Sequence, residues 1–243
     1  MAGAPCRAAW LGRVGYARGL ELQAALVRER LAGRICDTLL LLEHPPVFTL
    51  GKRREAAERN IVAGADAIRA IGATVELCDR GGDVTYHGPG QLVAYPIVHL
   101  SEMVHPGVRR YVEGLEDVMI DAAAAFGLRA TGRRPEETGA WIGQRKLGAV
   151  GVRVTQRVAS HGLALNVCTD LRAFDLIVPC GLKDRGVTSV ARELGVEGTP
   201  DAPTAEEAAL KLERAFGEIY ARRMVRVDAA ELLAGAQLAG AEK

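Results

Sequence analysis

Apolar residues recur along this chain with two periods. Leu20, Ala24, Val27 and Leu31 fall at helical spacing, and Gly33 follows where such a helix would stop. Thr38 to His44 (TLLLLEH) is an apolar run and predicts a buried strand, closed by Pro45-Pro46. VFTLG predicts a second strand, GADAIRAIGA a short helix and TVELCD a third strand, which delivers the chain into a glycine-rich loop at Arg80. Leu92 to Val98 leaves that loop as a strand. Val108, Tyr111, Leu115, Val118, Ala122 and Phe126 predict the longest amphipathic helix, with Gly127 placed to end it. The middle of the chain is β-rich: TGAWIG, KLGAVGVRV and VASHGLALNV, with short polar links such as Gln144-Arg145 that suit hairpins. Strands joined that tightly run antiparallel, so the sheet is at least mixed. Thr204 and Glu207 form a capping box ahead of a helix in which Leu212, Phe216, Ile219 and Tyr220 share a face.

This succession predicts an α/β (α+β) fold in a single domain spanning residues 1–228. The Ala/Gly-rich stretch 229–243 is expected to be a flexible tail. No internal repeat or low-complexity linker interrupts the domain.

The 243 residues, 49% hydrophobic and 25% charged, are enough to bury a full core. A net charge of +1 argues against a nucleic-acid binder that works by bulk electrostatics. The first fifteen residues lack a continuous apolar segment, and no apolar run approaches the ~18 residues a membrane span needs. A cytoplasmic protein is therefore expected. Five cysteines (Cys6, Cys36, Cys78, Cys168, Cys180) at wide spacing fit core residues or reactive thiols better than a disulfide framework, and no tight ligand spacing marks a metal site.

Several short stretches could carry chemistry. In RGGDVTYHGPGQ, from Arg80 to Gln91, glycines let backbone approach a ligand closely, although the same composition also suits a turn between strands. It is neither a P-loop nor a dinucleotide fingerprint. Cys180 in IVPCGL precedes Gly181, whose unobstructed amide could sit beside an oxyanion. A thiol of pKa ~8.5 needs a base or cation nearby to act as a nucleophile at neutral pH, and Lys146, His161 and His87 are candidates. Each also has a plainer reading, as a hairpin lysine or as a hydrogen-bonded structural histidine. Arg109-Arg110 and Arg133-Arg134 could grip an acidic partner or simply face solvent.

Taken together and in order, RGGDVTYHGPGQLVAYPI, KLGAVGVRV, SHGLALNV, FDLIVPCGL and GVTSVAREL closely resemble the lipoyl(octanoyl) transferase family, over roughly Leu39 to Leu194. The resemblance implies a fold shared with lipoate and biotin protein ligases, a mixed and mainly antiparallel sheet flanked by helices. It implies transfer of an octanoyl or lipoyl group from acyl carrier protein to a lysine of lipoyl domains, those of 2-oxoacid dehydrogenase complexes and of the glycine cleavage H protein. It further implies Cys180 as the acyl-carrying nucleophile and Lys146 as its activator. The acyl site would be lined by Arg80, Gly81, Gly82, Asp83, Val84, Thr85, Tyr86 and His87, by Ala149, Val150 and Gly151, and by Gly162, Leu163 and Ala164, with His161 as a further member. No cofactor is expected, since the substrate arrives on the phosphopantetheine arm of its carrier, and a monomer is expected. Two rivals remain: an ATP-dependent ligase on the same fold, which needs no nucleophilic cysteine, and a non-catalytic carrier-binding module, which would leave both Lys146 and Cys180 unexplained.

Overall fold

The computed structural model describes residues 3–135, 137–178 and 186–235. The chain runs β1 (Ala4–Arg13), α1 (Tyr16–Leu31), β2 (Asp37–Glu43), β3 (Val47–Leu50), α2 (Arg54–Arg59), α3 (Ala65–Ala70), β4 (Thr74–Leu77), β5 (Val84–His87) and β6 (Gln91–His99). It continues through α4 (Val108–Ala124), β7 (Ala140–Ile142), β8 (Arg145–Thr155), β9 (Val158–Asn166), a 3-10 helix at Leu171–Leu176, β10 (Gly186–Val187), α5 (Val190–Glu193), α6 (Ala205–Ile219), β11 (Arg222–Arg226) and α7 (Ala229–Gly235). The main sheet has the order β10-β8-β9-β6-β2-β1-β11, with β7 added beside β8, and a small second sheet has the order β4-β3-β5. The pairs β2–β6, β6–β9, β8–β9 and β7–β8 are antiparallel, whereas β1–β2, β1–β11 and β8–β10 are parallel. The sheet is mixed, as the tight strand links predict, and mainly antiparallel, as the family resemblance implies.

The uninterrupted apolar run of β2 follows from burial on both faces. Leu39 and Leu41 point into a core with Leu92, Ala94, Tyr111, Leu115 and Phe216, beneath α4 and α6. Leu40 and Leu42 point the other way, with Val93, Ile97, Leu22 and Leu26, beneath α1. A third core, under the small sheet, gathers Phe48, Val84, Tyr86, Phe174 and Ile177. The hairpin from β8 to β9 turns on Gln156 and Arg157, both at positive φ, as a tight turn matched to strand twist requires.

Three elements depart from the sequence expectations. Ala4–Arg13, a short N-terminal segment for which the sequence predicts no element, is a strand paired between β2 and β11. The stripe Leu20, Ala24, Val27 and Leu31 is not the buried face of α1; Leu22, Gln23, Ala25, Leu26, Glu29 and Arg30 are. Polar residues occupy that face with partners of their own: Gln23 Oε1 accepts from the His161 amide while its Nε2 stays unbonded, Glu29 pairs with Arg34, and Arg30 pairs with Asp37. Finally, residues 229–235, expected as flexible tail, form α7 and place Leu232 in the core beside Leu22 and Leu26. No helix of the described residues is long and apolar enough to cross a membrane.

Asp37, 3% exposed, ties four elements together. Its Oδ1 accepts from Arg30 Nε at 2.9 Å and from the His99 amide at 3.0 Å, and its Oδ2 accepts from Arg222 Nε at 3.0 Å. Removing one member of such a cluster leaves buried cations uncompensated. Asp37→Ala should therefore lower stability by about 3–5 kcal/mol in urea unfolding at neutral pH. A loss under about 1 kcal/mol, the range of an exposed pair, would contradict the assignment.

Candidate active site

The glycine-rich loop lies against strand β8. The Gly81 amide donates to Val152 O at 3.0 Å, and the Arg80 side chain turns back beneath the loop. Its Nη2 donates to Thr49 O at 2.7 Å and to Thr49 Oγ1 at 2.8 Å, and its Nη1 donates to Gly81 O at 3.0 Å. Three glycines make this placement feasible. A Cβ at Gly51 would stand 3.0 Å from Arg80 Nη1 and 2.4 Å from Gly82 O, one at Gly82 would stand 3.3 Å from Nη1, and one at Gly151 would stand 3.1 Å from Arg80 Cδ. The glycines of RGGD thus serve a close approach of backbone, and the group most closely approached is the chain's own arginine.

Behind the loop, β8 and β9 form one wall of a cavity of about 320 Å³. In their register Ala149 faces Ala164, Val150 faces Leu163, Gly151 faces Gly162 and Val152 faces His161. The segments 149–151 and 162–164, widely separated in sequence, are therefore direct strand partners. Val93 and Tyr95 of β6, Val84 of β5, Phe174 and Val187 complete a largely apolar lining. Lys146, the second residue of β8, lines the cavity half-buried, with its Nζ 5.0 Å from the centre of the Trp141 ring. Strand β10 closes this end: Val187 pairs with Lys146, and the Thr188 amide donates to Lys146 O at 2.9 Å.

A buried amide relay orders the polar side of the cavity. Asn166 Nδ2 donates to Thr188 O at 3.0 Å, so Asn166 Oδ1 is the atom that accepts from Gln91 Nε2 at 2.9 Å. The second Gln91 N–H goes to Tyr86 O at 3.1 Å, which leaves Gln91 Oε1 facing His87 Nδ1 at 2.6 Å. His87 accordingly carries its proton on Nδ1, and Nε2 is the acceptor nitrogen. By the same reasoning His44 donates from Nδ1 to Val14 O at 2.6 Å and accepts from Tyr95 Oη at Nε2, 2.8 Å away. His161, at φ +55°, donates from Nε2 to Asp79 Oδ1 at 2.9 Å.

Burial holds all three rings neutral. Loss of hydration lowers the His87 pKa to about 3, with His44 adding to the effect, and lowers His44 to about 4. His161 is likewise lowered to about 4, first by burial and then by the Arg80 charge.

Of the residues predicted to line an acyl site, Arg80, Gly81, Gly82, Asp83, Val84, Thr85, His87, Ala149, Val150, Gly151, Gly162, Leu163 and Ala164 all line this cavity, as do His161 and Lys146. Tyr86 does not. The alternation of β5 turns it into the third core, between Phe48 and Phe174, with ring centres at 5.2 and 5.6 Å. Cys180 lies outside the described residues. The chain is held up to that point by the Val178 amide, which donates to Asn60 O at 2.7 Å, and is described again from Gly186, paired with Arg145. Among the arginine pairs, Arg109 is bound to Glu113 at 2.9 Å, Arg133 to Asp117, and Arg134 to Glu137 at 3.8 Å.

The sequence reading passed over Tyr16, His44, Gln91, Tyr95 and Asn166. Gln91 and Asn166 did leave a signal, as lone amides in otherwise apolar strands; they face each other across the β6–β9 ladder.

The sheet, the loop seated on β8 and the half-open cavity between them make one site in the fold. Residues 15–217 match the profile of the lipoyl protein ligase A/B catalytic domain. An octanoyltransferase of Acidobacterium capsulatum is 45% identical over 230 residues, covering 90% of this chain and 91% of its own. One from Rubrobacter xylanophilus is 51% identical, covering 76% of this chain and 82% of its own. In three dimensions the bi-partite lipoate protein ligase of Thermoplasma acidophilum superposes with a TM-score of 0.70 at 17% identity, over 96% of this chain and 91% of its own. A lipoate-protein ligase A solved with ATP gives 0.72 at 16% identity, over 96% and 93%. The chain belongs to the lipoyl protein ligase A/B catalytic-domain family and, within it, to the octanoyltransferases, acyltransferases of protein lipoylation.

Because the three histidines have folded-state pKa values below their ordinary 6.5, unfolding takes up protons between about pH 6.5 and 4, and stability falls as the pH drops through that window. His44→Gln should flatten the dependence of unfolding free energy on pH near pH 5 by about one proton, roughly 1.4 kcal/mol per pH unit. An unchanged slope would contradict a buried neutral His44.

Proposed function

We propose that the octanoyl group arrives as a thioester on the phosphopantetheine arm of acyl carrier protein and is held by Cys180 on its way to a lysine of a lipoyl domain. The observation that carries this reading is that Lys146 lines one cavity together with the RGG loop and the 149–151 and 162–164 segments, while the strand following the PCG motif pairs with Lys146 itself. A chain with six methylenes gains about 5 kcal/mol when fully buried, so the apolar part of the lining, with Val93, Val150 and Leu163, favours it over water.

Lys146 Nζ stands 5.0 Å from the centre of the Trp141 ring, within cation–π distance. Lys146 then acts first as a cation: an ammonium beside Cys180 lowers the thiol pKa and shifts it toward thiolate. The thiolate attacks the thioester carbonyl, the carbon–sulfur bond to the carrier's arm breaks, and the departing thiolate takes its proton from Lys146. One thioester replaces another, so this half-reaction needs no ATP. In the second half the neutral Lys146 accepts a proton from the incoming lysine amine, which attacks the acyl-enzyme and forms an amide as Cys180 leaves. The glycine cleavage H protein and the lipoyl domains of 2-oxoacid dehydrogenase complexes are the acceptors in this scheme, a monomer acting in the cytoplasm.

Intact mass after incubation with octanoyl-carrier protein, without ATP, tests the scheme. A single octanoyl adduct is expected, absent in Cys180→Ala; labelling that survives that substitution, or that needs ATP and free acid, would overturn it. In Lys146→Ala, adduct formation should fall at least tenfold at pH 7 and recover toward pH 9 as the thiol ionises without help. A rate independent of pH and unchanged from wild type would remove Lys146 from the mechanism.

A further inference from the structure

Glu116 is a buried carboxylate with no part in the acyl-transfer steps. It lies on α4, 3% exposed, and both of its oxygens accept from backbone amides: Oε1 from Gly139 at 2.7 Å and Oε2 from Arg133 at 3.1 Å. Burying a carboxylate is costly unless hydrogen bonds replace its hydration. The position calls for two acceptors at once, which an amide side chain cannot supply, because its second terminal atom is a donor. Glu116 thus fastens Arg133 and Gly139 to α4. The loop that carries them is closed just outside, where Thr131 and Trp141 exchange both backbone hydrogen bonds at 2.8 Å.

That loop bounds the side chain of Lys146. Lys146 is the strand partner of Trp141, a fully buried ring whose Nε1 donates to Glu137 O at 3.0 Å, between the two fastened residues. The lysine stem also lies against Gly139: a Cβ there would stand 3.2 Å from Lys146 Cε and 2.4 Å from Gly148 O, and φ at Gly139 is +141°, a conformation that favours glycine. Gly139 is therefore bonded to Glu116 directly, and Trp141 is bonded to Glu137 and Thr131 of the loop that Glu116 fastens. We propose that Glu116 is a positioning residue for Lys146. It is not among the described residues that line the cavity, and it acts by fixing the slot between Gly139 and Trp141 from which Lys146 reaches the cavity. Because α4 is anchored in the core through Tyr111, Leu115, Val118 and Met119, the lysine is placed relative to the core and not by the loop alone. This inference rests on reading Lys146 as the group that activates Cys180.

The rate of acyl-enzyme formation, followed by intact mass over a range of octanoyl-carrier protein concentrations, tests it in wild type, Glu116→Gln, Lys146→Ala and the double variant. Glu116→Gln should lower the maximal rate about tenfold and leave the half-saturating concentration unchanged, because the slot is disturbed and the substrate site is not. On the Lys146→Ala background it should add nothing, since a residue that acts only through Lys146 has no effect once the lysine is gone. An unchanged maximal rate in Glu116→Gln, a change confined to the half-saturating concentration, or a loss repeated in full on the Lys146→Ala background would overturn the assignment while leaving Lys146 in the mechanism. Unimpaired adduct formation in Lys146→Ala would remove the lysine and this inference together. Should Glu116→Gln fail to fold, Glu116→Asp, a carboxylate one methylene too short to meet both amides, decides through the same set of variants.

Discussion

Arg80 can lie flat against strand β8 only because Gly151 presents no Cβ there, and the shape of the site depends on that contact. With the side chain in place, the Gly81 amide reaches Val152 O, the loop lies along β8, and the following residues enter β5 with Val84 directed into the core. A Cβ at 151 would stand 3.1 Å from both Arg80 Cδ and Gly81 O, so the loop would have to give by a few tenths of an ångström. The loop lining that faces the ligand is thus set by a contact between one arginine and three glycines, before any substrate is involved.

The main sheet supplies a rigid frame for this contact. Its central strands are buried on both faces, so they are apolar at nearly every position, and the few polar residues they carry are fully committed. Gln91 and Asn166 bond each other and two backbone carbonyls, and Gln91 Oε1 fixes His87 in one tautomer. Neutral histidines and bonded amides set a small number of oriented polar atoms beside the apolar wall. Lys146 and Arg80 both line the cavity, Lys146 at the start of β8 and Arg80 against Gly151 further along it.

Most of this was legible in the sequence where period or motif was strong. The apolar run of β2, the stripe on α4 and the Thr204–Glu207 box appear as read, because burial on both faces, helical spacing and capping each leave a direct trace. Strand β1 was not legible: APCRAAWLGR has no alternation, and its place between β2 and β11 is fixed by partners distant in sequence. The buried face of α1 was misjudged since Gln23, Glu29 and Arg30 look exposed until their partners are known. Tyr86 belongs to the quoted loop motif, but the two-residue period of β5 sends it to the core. The partners of Arg80 could not be read at all, because Thr49, which accepts from its guanidinium, lies on another strand distant in sequence.

The central claim is that the wall made by β8 and β9 receives the acyl chain. Ala149 lines the cavity, faces Ala164 across the ladder and belongs to none of the three cores, so enlarging it narrows the cavity with little effect on the fold. The direct measurement is the rate of acyl-enzyme formation, by intact mass, with carrier thioesters of graded chain length in wild type and Ala149→Leu. The account predicts an optimum displaced to chains shorter by about two carbons, with the short-chain rate retained. An unchanged chain-length profile, or an equal loss at every length, would contradict it.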